Sequence, residues 1–355
     1  VTAIQHPLGI DLSLFPVRDR LIYLNHAGTS PMPRTAAEAM KQYADEDTAL
    51  GSAEYGRWEA RLATTRAHAA RLINAEVDEI AFAKSTTLGL HNVAYGIDWK
   101  PGDVIIVEEN TFPGNWLPWI IAERFGATRW IWPERQFRYD LGELEARLRR
   151  GGVRMVAIAS ANFSTGYRQD LAAIGALCRQ YGALFCVDAI QTLGAFPIDV
   201  KALGIDFLSA DSHKWMMGPE GAGIFYVRRD RLPLFREDVV GWLGRANFTE
   251  FHRLDLPPDP TARRFEEGAP NMGGFIAMGA SIDLLVRTGP DRIAAHNRAL
   301  CRVLEEGFTR LGWQVISPRD EAHASAIVCA HREGTDVARV AATLRRDHAI
   351  FGVVR

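Results

Sequence analysis

Residues 206–223 read DFLSADSHKWMMGPEGAG, and the fold turns on that stretch. Phe207, Leu208, Ser209 and Ala210 form a short apolar run of the kind that makes a buried strand. The run delivers Asp211, Ser212, His213 and Lys214 at its end. Trp215, two methionines and a glycine-rich turn follow, and the chain then re-enters an apolar run, Ile224, Phe225, Tyr226 and Val227. A lysine at a strand end among apolar neighbours is disfavoured in its charged form, which suits an amine that must attack a carbonyl. A lysine that snorkels its head to solvent gives the same local pattern.

A second strand-like run lies upstream: Ala183, Leu184, Phe185, Cys186 and Val187, ending in Asp188 and followed by Ala189, Ile190 and Gln191. Two parallel strands put Asp188 and Lys214 in one crevice at the carboxyl edge of a sheet, where open α/β folds bind ligands. An imine-forming lysine and a carboxylate that keeps a pyridine nitrogen protonated are the minimal equipment for pyridoxal phosphate chemistry. V-D-A-x-Q followed by S-x-D-S-H-K-x-x-x-G-P-x-G-x-G resembles the class V aminotransferase family. That family includes cysteine desulfurases, selenocysteine lyases, kynureninases and isopenicillin-epimerase-like proteins. The resemblance implies an α/β fold of the pyridoxal-phosphate type I class. Its large domain has a mostly parallel, seven-stranded-type sheet between helices, and a smaller α/β domain follows. The expected division is an arm over 1–20, a large cofactor domain over 21–285 and a small domain over 286–355 that continues past Arg355.

Composition agrees with a globular enzyme: 47% hydrophobic and 24% charged residues, with a formal charge of −2. Lysines and arginines are dispersed, so neither nucleic acid nor a membrane is an expected partner. No apolar run reaches the roughly 18 residues of a membrane span. Cys178, Cys186, Cys301 and Cys329 lack metal-ligand spacing, so no metal site is expected. Thiols in core-like runs suit a reducing, cytoplasmic compartment. The first residue is Val1, and a few leading residues are expected before it.

Along the chain, 21–24 reads as a short strand followed by Asn25 and His26, and 35–49 and 57–72 read as helices. Residues 79–84 form a strand candidate that runs through Ser85, Thr86 and Thr87 into a helix. Such a junction caps the helix, and it also makes an anion site from free N–H groups, hydroxyls and the helix dipole. Strands at 103–107 and 155–159 and helices at 141–150 and 171–181 complete the strand–helix alternation that indicates a mostly parallel sheet. Trp116, Trp119, Trp130 and Trp132 are expected in the core or a subunit interface. Residues 229–262 are expected to be an irregular surface excursion, 275–286 and 290–311 helices, 326–330 a strand, 336–348 a helix and 349–355 a strand.

The resemblance also implies roles. Lys214 carries the imine and shuttles a proton at the substrate Cα, and Asp188 holds the pyridinium. Gln191 reaches the phenolate oxygen, and Phe112 lies on the ring face. Asn162 approaches the phenolate side or the substrate. Thr86, Thr87 and Ser212 take the phosphate, and His213 stacks or moves protons, unless it is structural. Asn271, in a segment like the family's G-T-P-N-x-x-G, serves the cofactor across a homodimer interface. Asn25 and His26 line the mouth, and Arg355 begins an R-x-G motif that clamps the substrate carboxylate. None of the four cysteines aligns with a persulfide-carrying one. The expected reaction on an amino acid is β-elimination or desulfuration, with transamination, epimerisation or a non-catalytic dimeric scaffold as alternatives.

Overall fold

A computed structural model describes residues 6–236 and 241–354. Seven strands build the central sheet: β1 (Ile80–Ala83), β2 (Val104–Glu108), β3 (Thr128–Trp132), β4 (Val153–Ala159), β5 (Leu184–Asp188), β6 (Phe207–Asp211) and β7 (Gly223–Val227). Their order is β1-β7-β6-β5-β4-β2-β3. Only β7 runs antiparallel, pairing with β6 and β1, and the other pairs are parallel.

The continuous apolar runs follow from burial on both faces. Ile106, Val156, Ile158, Phe185, Val187, Leu208 and Ile224 face one core cluster. Their neighbours Ile105, Val107, Met155, Ala157, Leu184, Cys186, Phe207 and Phe225 face the other. Helices cover these faces because the sequence starts and stops them locally. Asp170 caps helix Leu171–Tyr181 by accepting the Ala173 N–H, and Gly182, at φ 69°, ends it. Helices Arg34–Leu50 and Tyr55–Ile73 pack against Met272–Thr288.

Parallel strands bring their carboxyl ends to one edge. Glu108, Ala159, Asp188 and Asp211 therefore end β2, β4, β5 and β6 together, beside the start of helix Thr86–Gly96. Gly89 of that helix lies so close to β6 that a Cβ there would sit 2.3 Å from Ser209 Oγ.

The C-terminal part carries helices Pro290–Arg310 and Val337–His348 and a short ladder, Gln314–Val315 with Ala330–His331. The strand expected at 326–330 is only Ala330–His331, and the one expected at 349–355 is Ile350–Phe351. Ile350–Phe351 pairs in parallel with Ile22–Tyr23. Among the described residues, no helix is long and apolar enough to cross a membrane.

Candidate active site

A narrow cavity opens at the strand ends, lined by Glu108, Phe112, Ala159, Asn162, Asp188, Gln191 and Lys214, among others. The two groups singled out from sequence meet there. Lys214 Nζ lies 5.5 Å from the centroid of the Phe112 ring, and its charge acts on Asp188. Asp188 is only 3% exposed. Burial pushes its carboxyl up to about 6, against the Ile190 N–H and Lys214, which both pull it down. Asp188 Oδ1 accepts the Ile190 N–H at 3.1 Å, and Oδ2 takes no hydrogen bond from the described residues. A buried carboxylate thus presents a free acceptor to a cavity that holds an amine and an aromatic face. That donor set fits a protonated pyridine nitrogen at Asp188 and a carbonyl carbon at Lys214.

Gln191 is fixed at both ends. Its Nε2 donates to Ala27 O at 3.1 Å and its Oε1 accepts from Trp215 Nε1 at 3.2 Å. One amide hydrogen remains for a ligand oxygen in the cavity. The Ala27 link ties this wall to the N-terminal segment. There the His26 ring stacks on Trp215 with centroids 5.7 Å apart, and burial holds His26 below its ordinary range. Asn25 accepts the Gly28 and Thr29 N–H groups on its carbonyl in a tight turn. A Cβ at Gly28 would meet the Asn25 side chain at 2.5 Å.

The hydroxyl-rich turn forms as expected. Ser85 caps the helix by accepting the Leu88 N–H at 3.2 Å. The N–H groups of Thr86 and Thr87 fall in the first turn, where no intrahelical acceptor exists. Thr86 Oγ1 accepts the Asp211 N–H at 2.9 Å and keeps its own hydrogen, which locks this cradle to the end of β6.

Three of the expected residues are engaged in hydrogen bonds of their own. Ser212 is fully buried and its hydroxyl donates to Pro219 O at 2.8 Å, so that hydrogen is committed away from a phosphate. Asn162 lines the cavity, but its Oδ1 accepts from Ser164 N, Ser164 Oγ and Thr165 N, and its Nδ2 donates to Asn110 O. It shapes the loop first. Asn271 is exposed and outside the cavity lining; it caps helix Met272–Thr288 by accepting the Gly274 N–H and donates to Gly221 O. Arg355 lies outside the described residues. His213 is placed beside Asp211, with Nδ1 3.1 Å from Oδ2 but outside hydrogen-bond geometry.

Sequence reading missed Glu108. This carboxyl is 1% exposed, lines the cavity and accepts from Gln169 Nε2 at 3.4 Å. The signal was present: an acid ends an apolar strand run in the same way that Asp188 does.

The fold and the paired amine and carboxylate define a pyridoxal-phosphate-dependent enzyme of the type I class. Over residues 22–351 the chain matches the family described as Aminotransferase class-V, and it belongs to that family. It is similar to a probable cysteine desulfurase of Pyrococcus abyssi (strain GE5 / Orsay), 32% identical over 88% of this chain and 79% of that one. A probable cysteine desulfurase of Methanothermobacter thermautotrophicus is 32% identical over 80% of this chain and 71% of that one. The apo cysteine desulfurase of Thermococcus onnurineus NA1 superposes with a TM-score of 0.85 at 28% identity, covering 95% of this chain and 84% of that one.

Proposed function

We propose that this enzyme cleaves the carbon–sulfur bond of cysteine, as a desulfurase. The observation that carries the reading is the cavity in which Lys214 lies over the Phe112 face within electrostatic reach of the buried Asp188. The names of its relatives supply the substrate. Pyridoxal phosphate, when bound, supplies a carbonyl for the substrate amine and a ring that accepts the electrons left at Cα.

The chain's own groups divide the rest of the work. Asp188 holds a proton on the ring nitrogen. Gln191 donates to the phenolate oxygen, and Phe112 covers one face and excludes water. The N–H groups and hydroxyls of Thr86 and Thr87 bind the phosphate. Lys214 removes and returns the proton at the substrate Cα. Asn25, His26 and Arg355 serve the mouth, with Arg355 as the clamp for the substrate carboxylate. His213 is the neighbouring group that moves a proton to or from the leaving sulfur.

A homodimer completes the reading: Asn271 reaches the cofactor site of a second copy, and the exposed Trp242, Phe251 and Leu254 are covered by it. The division at residue 285 between a large and a small domain, and a cytoplasmic location suited to four unbridged cysteines, belong to the same proposal.

The test is turnover of L-cysteine with dithiothreitol as sulfur acceptor. Equal sulfide and alanine support desulfuration, and sulfide with pyruvate and ammonia identifies simple elimination. A keto acid that retains sulfur, without sulfide, identifies transamination and overturns the proposal, as does the absence of any product.

A further inference from the structure

Glu108 and Asp188 are both acids at the end of a buried strand, and only β4 separates β2 from β5. Strand β4 ends in Ala159, which pairs in register with Asp188. Its small side chain lets the carboxyl groups from either side line one cavity. Among the described residues, Glu108 has no cationic partner. The Gln169 amide donates to it, and the Thr111 hydroxyl and Ala159 N–H face it. Two buried carboxylates sharing one low-dielectric site cannot both ionise cheaply.

We propose that Glu108 is a positioning residue for Asp188. It holds a proton inside the cavity, so the pair presents one negative charge, on Asp188, to the ring nitrogen. The proposal rests on the cofactor reading above.

The electrostatics support it. Burial pushes Glu108 up to about 8, with the Asp188 charge adding to the rise, whereas Asp188 itself is pushed to about 6. Between those values the pair behaves as a coupled dyad with one proton. Among the described residues, the titratable groups nearby are Lys214, across the cavity, and Tyr139, which burial keeps in its neutral phenol form. Were Glu108 only an anchor for Gln169, its protonation would not register at the cofactor. As a proton holder it does. Above about pH 8 a second carboxylate appears near the ring nitrogen and tightens the hold on the cationic ring.

The experiment compares wild type with Glu108→Gln, which copies the protonated acid in shape. Infrared difference spectra of the cofactor-free protein at pH 7 should contain a protonated-carboxyl band that Glu108→Gln lacks. Pyridoxal phosphate dissociation constants, read by tryptophan fluorescence, should agree within about twofold at pH 6.5. Above pH 8.5 wild type should bind on the order of tenfold more tightly than Glu108→Gln. A missing band, or a wild-type-to-variant ratio that stays flat with pH, overturns the proposal. A wild-type protein that binds no cofactor at all refutes the functional reading instead, and the infrared band then still decides the state of Glu108.

Discussion

Replacing Asp188 with asparagine should strengthen the cofactor-free fold while weakening its hold on the cofactor. The carboxyl is 3% exposed, and burial raises it from 3.8 to about 6. An acid raised on folding binds its proton more tightly in the native state than in the unfolded chain. The cost is therefore absent well below pH 3.8, grows as pH rises through the interval and is complete above about pH 6. Roughly two units at 1.36 kcal/mol each give about 3 kcal/mol at pH 8, and about half a kcal/mol at pH 4. Asp188→Asn removes that cost at the same shape, and solvent screening gives no discount at this depth. Urea unfolding of the cofactor-free proteins at both pH values measures it. In the same variant the charge-assisted hydrogen bond proposed to the ring nitrogen would be lost, which should weaken pyridoxal phosphate binding on the order of tenfold to a hundredfold. A variant less stable than wild type at pH 8, or one that binds the cofactor as tightly, would overturn the role given to Asp188.

Wild-type affinity for pyridoxal phosphate should fall as pH drops through about 6, where Asp188 gains its proton, and Asp188→Asn should lack that inflection in the same fluorescence titration. Lys214→Ala should abolish the visible absorbance of the lysine-bound cofactor and lower turnover at least a thousandfold, on the order of a lost catalytic base and nucleophile. Gly89→Ala drives a methyl into Ser209, which donates to Thr86 O. It should destabilise the fold by about 1–3 kcal/mol and weaken phosphate-dependent cofactor binding, as seen by comparing pyridoxal with its phosphate.

The runs ending in Asp188 and Lys214 were legible because doubly buried strands are continuously apolar and their polar ends stand out. Helix Leu171–Tyr181 was legible at both ends through Asp170 and Gly182. The edge strand Thr128–Trp132 was not recognised as a strand. Arg129 precedes its two tryptophans, Trp130 and Trp132, and only the structure shows the guanidinium over the Trp116 ring at 4.8 Å. The reversed direction of β7 has no local signature, since the Gly218–Gly223 turn could precede either orientation. The two-residue strands of the C-terminal part carry too little alternation to fix their bounds. Within the site, the sequence shows residue types but not their hydrogen-bond partners. Ser212 looked available until Pro219 O proved to be its acceptor.

Everything proposed for this site requires that one amine, that of Lys214, face the cofactor carbonyl across from Asp188. Borohydride reduction of the cofactor-loaded protein, followed by peptide mass spectrometry, tests it most directly. A single pyridoxyl adduct on Lys214 is expected. An adduct on Lys41, Lys84, Lys100 or Lys201 in its place, or none, would contradict it.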